Sequence, residues 1–400
     1  MKHPIRLLLA ACVLAAAAAN TRADVITDWN NKAGEIVGEA KLGTPPANRV
    51  MAIVQSAVLE AVNAAAPRAT GRAQADAIAA AVAATNRATM TQLLPTQEAS
   101  IRAAYEAALA AVADGPAKVA GIAAGEAAAA AVLAARANDG AATPERYKPH
   151  TTAGAYVPTA SVAAWPWAQR KPWLLKSASQ FRPGAPPALN STTWVNDYNE
   201  VKAHGGKAST RRSAEQTDVA RFWDYSLPPI YYGLLRGVAN MPGRDTARNA
   251  RLYAAVAQAM DDAMIAVFDA KYTYNFWRPV TAIRNGEIDG HDATETDATW
   301  SSFIDTPMHP EYPSAHSILA SAVATVLKAD IGGGPVPEIS TTSLTAKGAV
   351  RRWTRLEDLV QEVSNARVWE GVHYRHSTEV GTAMGRQIGE LAATRHLPQP

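Results

Sequence analysis

The chain is nearly devoid of cysteine: of 400 residues only Cys12 carries a thiol, and it lies inside the N-terminal apolar run. Beyond that run neither a disulfide nor a thiol can carry function. Aromatic residues are also scarce, at 7% against 48% hydrophobic overall, so the apolar content rests on alanine and aliphatic side chains. Alanine is the best helix former, which points to a helical globular protein. Runs alternating apolar and polar, the mark of a half-buried strand, are rare. No excess of one charge sign exists either. The net charge is +3; residues 1–23 hold Lys2, Arg6 and Arg22 and no acid, and 3 − 3 leaves zero for the remainder. That excludes a global field for nucleic acid or a membrane surface. Long apolar runs are missing beyond the N-terminus. The most apolar stretch, 117–135, is mostly alanine and contains Lys118 and Glu126, so no stable membrane insertion is expected.

What is present begins with an export signal. Lys2 and Arg6 form a short positive region, residues 7–19 an apolar run, and small residues follow with cleavage points after Ala19 or Ala23. Residues 1–23 therefore read as a signal peptide, and the mature protein as secreted or periplasmic. Leu9-Ala10-Ala11-Cys12 resembles a lipoprotein cleavage box but leaves an apolar region of only about seven residues, at the bottom of the usual range.

Periodicity and breakers predict helices over 47–65, 73–94, 96–114 and 117–138. Residues 141–190 change character: Pro144, Pro149, Pro158, Pro166, Pro172, Pro183, Pro186 and Pro187 are interspersed with Trp165, Trp167 and Trp173. A loop this long with buried-type aromatics reads as a packed cover. Helical patterns resume over 191–204, 213–225, 246–271, 313–329, 354–369 and 377–391. The expected organisation is one all-α domain over 24–400: N-terminal helices to 140, the Pro/Trp-rich cover over 141–190, and a catalytic helical core over 191–400. The alanine-rich N-terminal helices suit a homo-oligomer as well as an intramolecular cover.

Three segments carry chemistry. In Lys271-Tyr-Thr-Tyr-Asn-Phe-Trp-Arg278-Pro279 the seven-residue spacing advances a helix by about 700°, so the two cations share a face if the helix is continuous. Their aromatic neighbours, Phe268, Tyr272, Tyr274, Phe276 and Trp277, argue against a solvated face, and buried cations require an anion. In His309-Pro310-Glu311-Tyr312-Pro313-Ser314-Ala315-His316-Ser317, Ser314 stands as a helix N-cap, where free N–H groups and the dipole receive anions. His316 adds a titratable group. His309 belongs to a surface loop or to an entrance near Trp277. In Ala366-Arg367-Val-Trp-Glu-Gly371-Val-His373-Tyr-Arg375-His376-Ser377, an unbroken helix would hold Arg367 and His373 about 240° apart. A break at Gly371 would let them converge. Asp261, Asp262 and Asp269 are expected to pair with basic neighbours rather than bind metal.

Together these segments supply three cations, a hydroxyl, helix-end amides and two histidines, the inventory of phosphoryl transfer and of oxyanion binding generally. Lys-x6-Arg-Pro, then Pro-Ser-x-His, then Arg-x5-His resembles the type 2 phosphatidic acid phosphatase and vanadium-dependent haloperoxidase superfamily, and the wording around Arg278 and Ser314 its soluble bacterial haloperoxidase-like branch. The resemblance implies an α-helical bundle with the oxyanion site in its core. It implies that His373 bonds vanadium of a vanadate cofactor, or attacks phosphorus, and that His316 is the acid–base. Lys271, Arg278 and Arg367 would neutralise the oxygens, with Ser314 and the Ala315 amide as further donors. Hydrogen peroxide, a halide and a small organic acceptor follow as partners. In this reading Lys271 polarises the activated peroxide. The alternative is a secreted acid phosphatase, without cofactor, acting on a phosphomonoester through a phosphohistidine. A non-catalytic helical oxyanion-binding protein is the third reading.

Two departures from the superfamily pattern stand out. Ala315 replaces a frequent glycine, which matters only if the position needs positive φ. Ser377 stands where many members carry aspartate, so it is expected to orient the His373 ring without adding negative charge. The missing charge weakens the phosphatase reading more than the vanadate reading.

Overall fold

The computed structural model describes residues 24–398. The expected signal segment, with Cys12, lies outside the described residues. The architecture is all-α with one small hairpin. α1 (Val25–Glu39) starts at Asp24, whose carboxylate accepts the Thr27 N–H. α2 (Thr44–Ala65) carries proline in its first turn, where a missing N–H costs nothing. α3 (Gly71–Leu93) stops before Pro95. α4 (Glu98–Ala110) is followed by α5 (Pro116–Arg136), which opens on its proline. α5 meets the length and hydropathy of a membrane span by composition alone, and it packs along α2 and α3.

The second half opens with α6 (Thr192–Gly205) and α7 (Ala214–Trp223), the latter with a Ser213/Gln216 capping box. α8 (Pro228–Ala239), α9 (Thr246–Tyr274) and α10 (Pro279–Arg284) follow. Then come α11 (Ala315–Ile331), β1 (Ile339–Ser343), β2 (Ala349–Trp353), α12 (Leu356–Trp369) and α13 (Arg375–His396). α9 is the buried axis and packs against α2, α11 and α13. One apolar cluster runs from Ile26 in α1 to Leu397 beyond α13 and joins both halves.

Several elements differ from the sequence-based expectation. α1 and α8 were not foreseen. Pro279 opens α10, a short helix that the sequence patterns did not mark. The β1–β2 hairpin is antiparallel, with Ile339 opposite Trp353. Its inward positions on β1 are Ile339, Thr341 and Ser343, two of them polar, so the apolar alternation that marks a strand is absent.

Within 141–190, Trp167 is buried and Trp173 lies against the core. Arg170 ties this segment down through Asp261 (2.6 and 3.0 Å) and Asp139 (2.8 Å), all fully buried. Asp269 pairs with Arg182. Asp262 departs from the expectation. Its carboxylate accepts the backbone N–H groups of Trp173, Leu174 and Leu175 at 2.7, 2.7 and 2.9 Å rather than pairing with a cation.

α11 and α13 approach closely enough to fix the site. Gly381, Gly385 and Gly389 form one stripe of α13. A Cβ at Gly385 would lie 2.3 Å from the Ile318 carbonyl oxygen, and one at Gly381 2.6 Å from that of Ser314. Only a side chain without Cβ lets the third motif sit on the second.

Candidate oxyanion site

α9 ends at Tyr274 because Asn275 adopts the left-handed conformation, φ 50°. Lys271 and Arg278 therefore do not share one continuous helix face. The chain turns between them, Arg278 caps α10, and both heads reach the same point from different elements. Lys271 is fully buried, and its Nζ donates to the carbonyls of Pro310 (2.9 Å) and Glu311 (2.8 Å). Arg278, 1% exposed, donates from Nε to His309 O (2.9 Å) and from Nη1 to Val372 O (2.7 Å). The same Nη1 lies 3.3 Å from His373 Nε2, and Nη2 lies 3.0 Å from His309 Nδ1. His309 also packs edge-on against Phe268, which puts it beside the cations rather than in a surface loop.

Ser314 is the N-cap of α11, as its place after Pro313 predicted. Its Oγ accepts from Ser317 N (3.4 Å) and Ser317 Oγ (3.1 Å), which leaves its own hydroxyl proton to donate. Ala315 is the first helical residue, so its N–H is one of the free amides of the helix end. It does not adopt positive φ, so alanine is unstrained here. The His316 ring bonds the Trp223 backbone, while its Nε2 is buried without a partner. Arg367 lies in the last turn of α12, donates to Trp223 O (3.4 Å), ion-pairs with Glu370, and leaves Nε unpartnered.

The break expected at Gly371 is present. Its φ is +78°, and a Cβ there would lie 2.2 Å from the Gly205 carbonyl oxygen at the end of α6. The chain folds back so that the His373 N–H donates to Arg367 O at 3.3 Å. Lys271, Arg278, His316, Arg367 and His373, from three motifs, thus lie within electrostatic reach of one another, with Ser314 two residues before His316. The flanking residues point elsewhere: Arg375 holds Glu200 and Asn365, and the His376 ring stacks on Tyr312.

Two residues at this place had no assigned role in the sequence reading. Glu311 is fully buried. Its Oε1 lies 2.7 Å from His373 Nδ1 and accepts the Tyr374 N–H (3.1 Å), and its Oε2 accepts the Ser377 hydroxyl (2.7 Å). Ser377 therefore orients Glu311, not the imidazole. A carboxylate beside the ring is present after all, so Ser377 does not disfavour phosphatase chemistry. Glu370, also fully buried, is the second. The available signals were an acid enclosed in His-Pro-Glu-Tyr-Pro and an acid three residues after Arg367.

The electrostatics follow from burial. Three buried cations face two buried carboxyls, and 3 − 2 leaves one positive charge with both acids ionised. Burial pushes the Lys271 ammonium well below its ordinary value, reinforced by Arg278, and takes Arg278 down to about 10. Burial and the same cations push His316, His309 and His373 well below the usual imidazole range, so all three are neutral near pH 7. Burial raises Glu311 to about 7 and Glu370 to about 8. An incoming anion would relieve the cations and use the unpartnered donors.

The raised carboxyls make a prediction. From the ordinary carboxyl value of 4.5 up to about 8, the folded protein keeps a proton on Glu370 that the unfolded chain releases. The Glu370 contribution to stability therefore falls as pH rises through that window, with Glu311 acting in the same direction up to about 7 and the lowered Lys271 acting in the opposite one. Between pH 6.5 and pH 8.5 the anion-free protein should change its melting temperature less favourably than Glu370→Gln does, because only the parent loses the Glu370 proton. An identical slope in the variant would remove Glu370 as its source.

Surplus buried positive charge beside helix-end amides is an arrangement suited to an anion. Residues 251–398, which span all three motifs, match the family model described as "VCPO second helical-bundle domain". Vanadium chloroperoxidase of Curvularia inaequalis is 30% identical over 36% of this chain, a match that spans only 28% of that relative's length. The crystal structure of a bacterial vanadium-dependent iodoperoxidase superposes with a TM-score of 0.73 at 23% identity, covering 94% of this chain and 96% of that one. A holo-type bacterial vanadium-dependent chloroperoxidase gives 0.68 at 18% identity, over 89% and 94%. At such identities the structures establish a shared fold. The sequence similarity is confined to the motif-bearing part of the chain, whereas the shared fold extends over most of it.

Proposed function

We propose that this protein is a haloperoxidase-type enzyme that holds vanadate at His373 and oxidises halide with hydrogen peroxide, passing the oxidised halogen to a small organic acceptor. What carries the reading is a neutral His373 whose Nε2 lies 3.3 Å from Arg278 Nη1, within electrostatic reach of Lys271 and Arg367, while Nδ1 is held by Glu311. Such a ring is a ligand as it stands. The donor set fits a tetrahedral oxyanion: Lys271, Arg278 and Arg367 oppose the charge on its oxygens, and the Ser314 hydroxyl and Ala315 amide donate to it. Bound vanadate would supply a redox-inert Lewis acid that activates peroxide toward halide. His316, neutral and with Nε2 free, is set to accept a proton from hydrogen peroxide. Export through residues 1–23 belongs to the same proposal.

A second reading is favoured by one contact. A carboxylate on Nδ1 makes His373 a better nucleophile, as a phosphomonoesterase needs. There the bond from Nε2 to phosphorus forms as the ester P–O bond breaks, and His316 must give a proton to the leaving oxygen. The depressed His316 value opposes that acid role until a phosphate dianion lies beside it.

The test is dye bromination by purified protein preloaded with orthovanadate in phosphate-free buffer, with peroxide and bromide. We expect vanadate-dependent turnover that His373→Ala abolishes. Hydrolysis of an aryl phosphate, inhibited by vanadate and without bromination, would replace the first reading by the second. Vanadate binding with neither activity would leave a non-catalytic oxyanion-binding protein.

A further inference from the structure

We propose that Glu311 is the positioning residue of His373, supplying from the second motif the carboxylate that the superfamily pattern carries four residues after the histidine, where this chain has Ser377. The inference rests on the reading of His373 as the residue that meets the oxyanion.

The hydrogen-bond inventory decides the direction of each contact. A guanidinium only donates, so the 3.3 Å approach of Arg278 Nη1 makes His373 Nε2 the acceptor, the nitrogen with the lone pair. The ring proton then sits on Nδ1, and Glu311 Oε1 at 2.7 Å receives it. The other two donors on Glu311 agree: the Tyr374 N–H gives to Oε1 and the Ser377 hydroxyl to Oε2, so the carboxyl accepts at both oxygens. The Glu311 backbone is pinned as well, since its carbonyl receives the Lys271 ammonium and its N–H donates to Phe276 O at 2.9 Å. An acid fixed at both ends and wholly buried holds the imidazole in one tautomer and one orientation, with Nε2 presented to the cations.

Serine at 377 is then a consequence rather than a loss. An aspartate there would crowd a second carboxylate against Glu311, whereas the hydroxyl donates to it. The two positions are 66 residues apart in sequence and touch because α13 lies on the α11 cap.

The experiment separates position from bulk structure by moving the charge. Protein labelled with ¹⁵N at histidine is examined without any oxyanion, and orthophosphate and orthovanadate affinities are measured by calorimetry. In the parent protein we expect His373 as the Nδ1–H tautomer. In Glu311→Ala we expect tautomer exchange and an affinity loss of about 10- to 100-fold. The double variant Glu311→Ala/Ser377→Asp should restore the tautomer and most of the affinity. Parent-like ring signals and affinity in Glu311→Ala would overturn the proposal. So would a double variant that folds, melts like the parent and stays as impaired as the single one. If Glu311→Ala does not fold, Glu311→Gln takes its place. Its amide oxygen still accepts from Nδ1 but carries no charge, so we expect the tautomer kept and affinity reduced, and unchanged affinity would refute the assignment. The ring signals are read on unloaded protein. A parent that shows the tautomer without bromination therefore sinks only the haloperoxidase reading.

Discussion

Asp261→Ala is expected to cost about 3–5 kcal/mol of stability, because it strips one carboxylate from a buried cation. Arg170 and Asp261 are both 0% exposed at their side chains, and Arg170 makes two contacts to Asp261 and one to Asp139. Asp139 cannot take over, since its Oδ2 already serves Arg49 at 2.8 Å. The Trp173 Nε1–H loses its acceptor at 2.9 Å too. The contacts to Asp261 run from the cover to α9, so the loss falls on the docking of the cover. The more exposed Arg182–Asp269 pair, with Arg182 36% exposed, is the internal control. Asp269→Ala should cost no more than about 1 kcal/mol. Urea unfolding of both variants checks the ranking, and equal costs would mean that burial does not set the value of these ion pairs.

The same contrast between local and distant determinants explains what the sequence discloses. Helix starts were legible where proline or a capping side chain marks them, as at Pro116, Ser213 and Ser314, because those signals act within four residues. Gly371 was legible for the same reason: a glycine between Arg367 and His373 is a local break. Whether α9 continues through Arg278 stayed open, because Asn275 takes the left-handed conformation, which asparagine tolerates but does not announce. Polar inward residues hid the hairpin. Glu311 escaped for a different reason. Its partner His373 is 62 residues away, and only the close packing of α11 on α13 brings them together. Motif spacing shows which side chains are supplied. It does not show which acid ends beside which ring.

Arg278→Lys should abolish most oxyanion binding although it preserves the charge. Arg278 uses Nε, Nη1 and Nη2 at once, on His309 O, Val372 O, His309 Nδ1 and His373 Nε2, so it joins the second and third motifs. An ammonium is a point charge on a flexible stem and cannot reproduce that fork. Removing one partner of a buried, hydrogen-bonded charge set costs about 2–5 kcal/mol. That corresponds to about 30- to 4,000-fold in Kd for orthovanadate or orthophosphate. Arg375→Lys, which alters a guanidinium held by Glu200 and Asn365 outside the cluster, should change Kd less than about twofold on the ordinary cost of exposed pairs. Calorimetric titration of the two variants decides between geometry and charge. A Kd for Arg278→Lys close to that of the parent would mean that positive potential alone recruits the anion. The linkage of three motifs through one guanidinium would then be a feature of folding and not of binding.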